Sequence, residues 1–328
     1  MILCVSLNPA VDKMLKINSI NIGRVNRANV ESIHAGGKAI NVAYDLLIQG
    51  EKAMVTGFVG GRTGTLITED LKNRNIAYEF IGLATETRTN MNYIDERGRV
   101  TEILEAGHLV DAESERKFIT LYKKLLTQTD LAVLSGSLPI GLDDQMYGVL
   151  IEAANKAGVP VALDTSGEAL RHGVQKAPFI IKPNLSELEN LTHRKYDLSV
   201  LDDGIEEFFE SSAFKNVLLP DLCELKNLNI ALICVTFGEK GLLIFTKNTI
   251  VICKAPKVDV VNTVGSGDCV LSAIIHSMSK QADLIDTAKY ATAVSAAHVT
   301  TMNVGDMDVK LVSKLIDEIE YGVYTIND

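Results

Sequence analysis

The sequence predicts an α/β protein with a doubly wound, mostly parallel β-sheet that is flanked by helices. Short β-branched runs alternate with longer amphipathic runs along most of the 328 residues, and this alternation is typical of sheets covered by helices. The central strand candidates are almost entirely apolar, as expected when both faces of a parallel sheet are buried. From residue 264 onward, the pattern becomes helical.

The individual elements follow from these runs. The strand candidates are MILCVSL (1–7), KAMVTGFV (52–59), DLAVLSGS (130–137), VPVALD (159–164), FIIKPN (179–184), ALICVTF (231–237), LLIFTK (242–247) and the shorter run VDVV (258–261). The helix candidates are AINVAYDLLIQ (39–49), GTLITEDLKNRN (64–75), AESERKFITLYKKLL (112–126), MYGVLIEAANKAG (146–158), VLSAIIHSMSK (270–280), LIDTAKYATAVSAAHVT (284–300) and VKLVSKLIDEI (309–319).

Residues 11–34 and 88–105 do not follow this rhythm. Polar and apolar residues partly alternate there, which is typical of half-exposed antiparallel strands. The second segment indicates a hairpin that turns at Glu96-Arg97-Gly98. We therefore expect two insertions to form a small β-sheet that stands off the main sheet as a lid. Because repeats and Pro-rich linkers are absent, residues 1–328 are predicted to form one domain.

The composition argues against several classes of function. The net charge of −10 disfavours nucleic acid as a partner, because a phosphate backbone requires a basic surface; a small phosphorylated substrate needs only local donors. No apolar run is long enough to span a membrane, and the N-terminus lacks the pattern of a signal peptide. The five cysteines are scattered without CxxC spacing, which favours a cytoplasmic location and indicates no metal site.

The stretch VNTVGSGD (261–268) places two glycines and an acid at the start of a helix candidate. The first N–H groups of a helix lack intrahelical partners and carry partial positive charge, and glycine allows the backbone to approach a ligand closely. The turn therefore suits a phosphate group. Asp268 would repel phosphate unless it acts as a general base toward a substrate hydroxyl. Alternatively, Asp268 is an ordinary first-turn acid after a plain glycine turn.

Two other phosphate-binding motifs fit less well. Val270 occupies the position where a dinucleotide-binding G-x-G-x-x-G fingerprint needs its third glycine, which disfavours a nicotinamide-dependent enzyme. Lys38 is followed by Ala39 instead of Ser or Thr, and no GxxxxGK[ST] pattern occurs. The sequence therefore has no P-loop.

Two further clusters each allow two interpretations. AGGKAIN (35–41) is a second glycine-lined helix start and carries a lysine, so it is either a second anion site or a turn with a solvated lysine. In KPNLSE (182–187), Asn184 and Glu187 have the spacing of a capping box. The functional alternative is that Glu187 helps to hold a hydrated Mg²⁺ while Lys182 and Asn184 face nucleotide phosphates.

Polar residues follow other predicted strands as well. TFGEKG (236–241) is either a hairpin turn or a nucleotide contact, because open α/β sheets bind ligands at the carboxyl ends of their strands. SGSLP (135–139) comes directly after a strand, Asp12 follows the first strand, and Arg88 opens the second lid segment. Each feature alone is ordinary, but together they indicate a ligand site along one edge of the sheet.

In combination these stretches carry a resemblance. The sequence resembles the ribokinase-like sugar kinases, in their phosphofructokinase-B branch. The matching stretches run in family order over almost the whole chain: LNPAVD (7–12), AGGKAINVA (35–43), ETRTN (86–90), SGSLP (135–139), KPNLSELE (182–189), TFGEKG (236–241) and VNTVGSGD (261–268). The branch with NPAxD and SGSLP phosphorylates ketohexose monophosphates and includes 1-phosphofructokinase, tagatose-6-phosphate kinase and the minor 6-phosphofructokinase.

The resemblance implies an ATP- and Mg²⁺-dependent phosphoryl transfer, with a role for each matching residue. Asp268 is implied as the catalytic base, and the anion hole for the transferred phosphoryl group as Gly265, Ser266 and Gly267. The implied sugar-binding residues are Asp12, Gly36, Gly37, Lys38 and Asn41. Candidates for the phosphate already on the substrate are Lys38, Arg88 and Asn90, with Ser137 nearby.

The resemblance also implies a nucleotide site and an assembly. Lys182, Asn184 and Glu187 would serve the ATP phosphates, with Glu187 holding Mg²⁺ through water. The residues implied along the nucleotide are Thr236, Gly238 and Gly241, with Asn303 as a weaker candidate for the adenine pocket. A homodimer formed through the β lid is implied as well.

Three positions depart from the family pattern. Ser266 stands where the family often has Ala, and Ala39 where it often has Gly; both residues are small. Cys269 replaces the usual small hydroxyl residue beside the base, and a thiol is a weaker hydrogen-bond donor than a hydroxyl.

The sugar is not decided by these motifs. TEILEAG (101–107) resembles the tagatose-6-phosphate kinases, whereas TRTN (87–90) and VNTVGSGD resemble the 1-phosphofructokinases. Two other functions stay open: a non-catalytic sugar-phosphate sensor on the same fold, and a kinase of an unphosphorylated sugar or nucleoside.

Overall fold

The computed structural model describes residues 1–302 and 305–326. Its strands are β1 (Ile2–Ser6), β2 (Ala10–Lys16), β3 (Asn29–Gly36), β4 (Ala53–Gly60), β5 (Ala77–Leu83), β6 (Arg88–Ile94), β7 (Val100–Leu104), β8 (Leu131–Ser135), β9 (Val161–Asp164), β10 (Ile180–Ile181), β11 (Leu232–Thr236), β12 (Leu242–Thr246), β13 (Thr249–Cys253) and β14 (Tyr321–Thr325).

The α-helices connect these strands or cover them. They are α1 (Lys38–Ile48), α2 (Gly61–Asn73), α3 (Ala112–Leu126), α4 (Met146–Lys156), α5 (Gly167–Val174), α6 (Leu185–Thr192), α7 (Ile205–Glu210), α8 (Leu219–Lys226), α9 (Ser266–Ser279), α10 (Leu284–His298) and α11 (Val309–Glu318). Within the described ranges, none of the helices combines the length and the apolar character needed to cross a bilayer.

The main sheet has the order β14-β13-β12-β11-β10-β9-β8-β1-β4-β5. The strands from β5 to β11 run parallel, and β12, β13 and β14 extend the sheet as antiparallel strands. Large apolar side chains pack on both faces, for example Phe58 and Phe118 on one and Ile40 and Tyr44 on the other. The predicted doubly wound, mostly parallel sheet flanked by helices is therefore confirmed.

The predicted strand VDVV is wrong, because residues 258–261 are irregular. The preceding strand β13 is already paired with β12 on one side and β14 on the other. Strand β13 therefore offers this run no free edge, and Val260 is exposed. Strands β5 and β14 lie at the two edges of the sheet and are only partly buried, so they lack the apolar run that identified the central strands.

The two lid segments each form a hairpin, and together they build a second sheet in the order β3-β2-β6-β7. The pairs β2·β3 and β6·β7 within each segment are antiparallel, as expected, whereas β2 and β6, which join the two segments, run parallel. The reason is topological. Strands β2 and β6 follow β1 and β5, which point the same way in the main sheet, and both connections are short.

The second hairpin turns where the sequence indicated. The backbone N–H of Gly98 donates to the carbonyl of Asp95 at 2.9 Å, and Gly98 has φ of +73°, a left-handed conformation that suits glycine. The lid sheet stands beside the carboxyl ends of the parallel strands, where open α/β sheets bind ligands.

Candidate active site

Helix α9 begins at the predicted glycine turn. Gly265 has φ of +83°, and the N–H groups of Asp268 and Cys269 donate back to its carbonyl. Within the described residues, the N–H of Gly267 has no such carbonyl partner. A Cβ atom on Gly267 would lie 3.1 Å from Nζ of Lys182, so the turn and this ammonium group face the same space. Together they offer N–H donors and a positive charge to an anion.

Asp268 lies buried in the first turn of α9 and accepts a hydrogen bond from Nδ2 of Asn41 at 2.8 Å. Burial, together with the negative charge of Asp164, raises the pKa of Asp268 to about 7 against the opposing influence of Lys38, Asn41 and Lys182. A carboxylate with a pKa near neutrality can accept a proton at physiological pH and release it again. An exposed first-turn acid would not show this shift.

Asp164 is a central residue that the sequence analysis missed. It ends β9, is fully buried, and lies 3.2 Å from Nζ of Lys38 and 3.3 Å from Nζ of Lys182. Although burial alone would raise its pKa, the two ammonium groups hold the pKa of Asp164 below its usual range. The available signal was an acid at the carboxyl end of the apolar strand VPVALD.

Lys38 opens α1 and bridges two acids. Its Nζ lies 3.2 Å from Asp164 and 3.8 Å from Glu187. Burial alone would lower the pKa of Lys38, but Asp164, Glu187 and Asp268 together raise it above its usual value. Lys38 is therefore firmly protonated and lies among the groups around Asp268.

Glu187 fits both alternatives considered for KPNLSE, the capping box and a contact to hydrated Mg²⁺. Oδ1 of Asn184 accepts from the N–H of Glu187 at 2.8 Å, and Oε2 of Glu187 accepts from the N–H of Asn184 at 2.9 Å, which is a capping box. Oε1 of Glu187 is the atom that faces Lys38. Mg²⁺ prefers oxygen ligands and usually keeps several waters, so this second oxygen fits a Mg²⁺ ion held through water.

These charged side chains and one amide, each buried or half-buried, form one group, which we call the transfer cluster: Lys38, Asn41, Asp164, Lys182, Glu187 and Asp268. It collects residues from three separate predicted motifs, AGGKAIN, KPNLSE and VNTVGSGD, together with Asp164. The shared position follows from the fold, since parallel strands end at the same edge of the sheet and the helices that follow them start there.

The TFGEKG stretch lies next to the transfer cluster. The N–H of Thr236 donates to the carbonyl of Pro183 at 3.1 Å, which joins it to the KPNLSE stretch. The residues form the turn of the β11–β12 hairpin, where Gly238 has φ of +61° and Gly241 has φ of +106°. A Cβ on Gly241 would lie 1.9 Å from the carbonyl oxygen of Cys253. The turn is thus a hairpin that lies beside the transfer cluster, at the carboxyl end of β11. Asn303 lies outside the described residues.

A second group lies where the lid sheet meets the main sheet. Asp12 and Asn90 are cross-strand neighbours on β2 and β6, and Nδ2 of Asn90 donates to Oδ1 of Asp12 at 2.8 Å. A Cβ on Gly36 would lie 2.0 Å from Oδ2 of Asp12, so only glycine fits there. Burial raises the pKa of Asp12 to about 6, against the opposing influence of Asn90 and Arg88.

Arg88 is held beside this pair by Asn8, which the sequence analysis did not single out. Nε and Nη2 of Arg88 donate to the carbonyl of Asn8 at 3.1 and 2.9 Å, and Nη1 donates to the carbonyl of Glu105 at 3.0 Å. The side chain of Asn8 donates to Oγ of Ser137 at 3.1 Å. Since a guanidinium group has five N–H donors, two of those of Arg88 remain for a ligand.

We call this second group the lid-base cluster: Asn8, Asp12, Gly36, Arg88, Asn90 and Ser137. The peptide Gly36-Gly37-Lys38 connects it to the transfer cluster. Gly37 has φ of +111°, and a Cβ there would lie 3.2 Å from Oγ of Ser6, so this link requires glycine.

Three buried amide oxygens at the two clusters have no hydrogen-bond partner among the described residues: Oδ1 of Asn8, Asn41 and Asn90. Buried acceptors without donors are uncommon in folded proteins. A ligand with several hydroxyl groups would supply the missing donors, so the chemistry of these atoms suits a sugar.

Comparisons with known proteins agree with this geometry. The model of the pfkB family of carbohydrate kinases matches residues 6–310. A Thermotoga maritima protein described as a "Possible 1-phosphofructokinase" superposes with a TM-score of 0.81 at 25% identity, covering 100% of both chains. Escherichia coli phosphofructokinase-2 in complex with substrates and products gives a TM-score of 0.84 at 22% identity, covering 97% of this chain and 98% of the other.

A second structure of the Escherichia coli enzyme, its tetrameric inhibited form, gives a TM-score of 0.83 at 22% identity with the same coverage. The family match covers the whole lid sheet, most strands of the main sheet and all residues of both clusters. The chain therefore belongs to the pfkB family of carbohydrate kinases and has the ribokinase-like fold.

Proposed function

We propose that this protein is an ATP- and Mg²⁺-dependent kinase that phosphorylates a free hydroxyl group of a ketohexose monophosphate and yields a ketohexose bisphosphate. The observation that carries the proposal is the environment of Asp268. This carboxylate is buried at the glycine turn of α9, bonded to Asn41, and has a pKa raised to about 7. A base of this kind is needed to transfer a phosphoryl group to an alcohol, whereas a protein that only binds a sugar phosphate does not need one.

In the proposed reaction, Asp268 takes the proton of the substrate hydroxyl as the oxygen attacks the terminal phosphorus of ATP. The bond from that phosphorus to the leaving oxygen of ADP breaks at the same time. The N–H groups of the turn at Gly265, Ser266 and Gly267 then stabilise the charge on the transferred group. Bound Mg²⁺ would neutralise phosphate charge, and Glu187 would hold it through water.

Two ammonium groups support phosphate transfer at this site. Lys38 and Lys182 are both held by Asp164, so each side chain is fixed before a phosphate arrives. Preorganised charge of this kind is the main contribution that a protein makes to phosphoryl transfer. We propose that Lys38 and Lys182 bind the ATP phosphates. Along the nucleotide we propose Asn184, Thr236, Gly238 and Gly241. That Lys38 also contacts the phosphate of the sugar is still only predicted from the sequence.

The lid-base cluster is proposed to bind the sugar phosphate. Asp12 and Asn90, together with Asn41 of the adjacent transfer cluster, offer acceptors to sugar hydroxyls, and Gly36 and Gly37 leave room for close contact. Arg88 has two N–H donors left for the phosphate. Ser137 lies beside Asn8, whose carbonyl accepts hydrogen bonds from Arg88. A fixed guanidinium is well suited to a phosphate group, which favours a phosphorylated substrate over a free sugar.

We further propose that residues 1–328 form one kinase domain whose lid sheet, from segments 11–34 and 88–105, closes over the sugar. The outer face of this sheet carries apolar side chains, among them Val30, Ile33 and Ile103, that are about half exposed. Their register across β3, β2, β6 and β7 puts them on the face opposite to Asp12 and Asn90. A homodimer that buries this face is the proposed assembly, and light scattering would test it.

The direct test is ADP release with Mg-ATP and a panel of fructose 1-phosphate, tagatose 6-phosphate, fructose 6-phosphate, fructose and ribose. Turnover of a phosphorylated ketohexose supports the proposal, and the ratios of kcat/KM identify the sugar. Turnover of free sugars alone would refute the role of Arg88. Binding of a sugar phosphate without ADP release would favour the alternative function, a sugar-phosphate sensor on the same fold.

A further inference from the structure

Behind Asp268, three side chains with metal-binding atoms meet in the interior. Asp45 comes from α1, Cys269 from α9 and His298 from the end of α10. One ligand atom of each lies within 4.8 Å of the other two. The exposed fractions are 0% for Asp45, 0% for Cys269 and 1% for His298. The proposed kinase reaction uses none of these side chains.

The ring of His298 is oriented as in many metal sites. Its Nε2 lies 2.8 Å from the carbonyl oxygen of Val264. Because a carbonyl can only accept, Nε2 must carry the hydrogen, and Nδ1 is left with its lone pair. Nδ1 is buried and has no partner among the described residues. A histidine that binds a metal typically donates its other N–H to a carbonyl in this way.

Asp45 also lacks partners. Neither of its carboxyl oxygens has a hydrogen-bond partner at normal distance within the described part of the chain, although the Cys269 thiol is close enough to interact with it. A buried carboxyl group and a buried imidazole nitrogen without partners are both unfavourable. Their convergence at one point indicates that something binds between them.

We propose that Asp45, Cys269 and His298 bind a Zn²⁺ ion. A thiolate, a carboxylate and a neutral imidazole are the ligand types that zinc takes in proteins. The two negative ligands neutralise the divalent ion, so the buried complex carries no net charge. Mg²⁺ and Ca²⁺ fit poorly, because both require oxygen ligands. Sequence spacing did not reveal this site, since the three ligands are far apart in the chain.

The position gives the ion a structural role. Asp45 lies one helical turn beyond Asn41 on α1, and Cys269 directly follows Asp268 on α9. The histidine contact to Val264 holds the residue before Gly265. A bound ion would therefore join three helices directly behind the pair Asn41–Asp268 and hold the glycine turn in place.

The test is the metal content of the untagged protein, isolated from cells supplied with Zn²⁺ and treated with a mild chelator to remove surface ions. We expect about one zinc per chain, as in structural zinc sites. Protein from cells supplied with Co²⁺ should show the absorption band of a cobalt–thiolate bond. Both signals should be lost in Cys269→Ser and in Asp45→Asn, and retained in Cys4→Ser, which alters another fully buried thiol.

Each outcome decides the proposal without an activity assay, so the zinc proposal can fail or succeed independently of the proposed kinase function. Protein without zinc, or cobalt protein without the thiolate band, would overturn it. Equal zinc content in Cys269→Ser and Cys4→Ser would also overturn it, because the metal would then lie elsewhere. If Cys269→Ser does not fold, Asp45→Asn and the cobalt spectrum of the unaltered protein still decide the question.

Discussion

The transfer cluster and the lid-base cluster lie next to each other but satisfy their polar groups in different ways. In the transfer cluster, the charges around the proposed base are paired inside the protein: Asp164 contacts two lysines, and Glu187 is part of a cap and faces Lys38. The base itself, Asp268, is bonded to an amide there, that of Asn41. In the lid-base cluster, Asp12 has only an amide as its direct partner, and the amide oxygens of Asn8 and Asn90 have none among the described residues.

The difference matches the two kinds of ligand that we propose. A transferred phosphoryl group needs charges that are already fixed before it arrives, because reorganising them would cost free energy during the reaction. A sugar brings its own hydroxyl donors, so the protein can leave acceptors open for it. The paired region is therefore expected to govern turnover, and the open region to govern affinity for the sugar.

The largest effect should come from Asp268→Asn. The amide cannot take a proton, so kcat should fall by about 10³-fold or more, within the range for loss of a general base. ATP binding and the circular dichroism spectrum should be unchanged. Asp259→Asn alters an exposed aspartate on the same approach to the turn and should retain full activity. Near-normal turnover in Asp268→Asn would refute the assignment of the base.

Asp164→Asn should be next in size and should affect stability as well as turnover. The substitution leaves Lys182 buried without its counter-charge, which typically destabilises a protein by about 3 kcal/mol. Urea unfolding should show this loss, and kcat should decrease because both lysines are freed. Asp144→Asn, an exposed aspartate, is the matched control. An unchanged free energy of unfolding would mean that the ion pairs are not formed in solution.

Arg88→Ala should distinguish the role of the lid-base cluster from that of the transfer cluster. We expect KM for the phosphosugar to rise about tenfold or more while KM for ATP changes little, since a charge-assisted bond to phosphate contributes about 1.5–3 kcal/mol. Arg97→Ala, in the exposed lid turn, is the control. Lys38→Ala should instead reduce kcat, because Lys38 belongs to the paired region. If Lys38→Ala changed only the KM of the sugar, the boundary between the clusters would be misplaced.

Asp12→Asn should have the smallest effect of these substitutions. Unlike Asp164→Asn, it should stabilise the folded protein. The folded-state pKa of Asp12 is raised to about 6, so its ionisation destabilises the folded protein at neutral pH, by up to about 3 kcal/mol for the full shift. The new amide N–H₂ lacks an acceptor, so a net gain of about 1 kcal/mol is expected. The variant should be more stable than the unaltered protein above pH 6. Toward pH 4 it should be less stable, because protonation of Asp12 removes the ionisation penalty while the unpaired amide remains.

Stability measured at pH 7.5 and at pH 4.5 for Asp12→Asn and the unaltered protein would test this. The sugar affinity of the variant should decrease at the same time, since an acceptor for a hydroxyl is lost. A variant that is less stable than the unaltered protein at both pH values would show that ionisation of the buried Asp12 does not destabilise the folded state.

Local patterns were sufficient for much of the fold. The glycine turn of α9, the alternation of strands and helices, the two lid segments and the hairpin of the second segment were all visible in the sequence, because each depends on neighbours in the chain. The family is confirmed by the match over residues 6–310. The irregular run at 258–261 could not be recognised, because whether a β-branched run becomes a strand depends on a free sheet edge.

The residues that were missed have partners far away in the sequence. Asp164 matters because Lys38 and Lys182 reach it, and Asn8 matters because its carbonyl holds Arg88. The trio of Asp45, Cys269 and His298 comes from three different helices. No spacing rule connects such positions, since only the folded chain brings them together.

The connection between the lid and the body has a mechanical consequence. Strand β3 ends at Gly36, and α1 begins at Lys38, so Gly37 is the only residue between them. A rotation of the lid cannot be absorbed by a flexible loop before it reaches α1. In the proposed kinase, movement of the lid sheet would be transmitted through one peptide unit to the ammonium group of Lys38 beside Asp164, and the lid would act as a lever on a charge that we propose for the ATP phosphates.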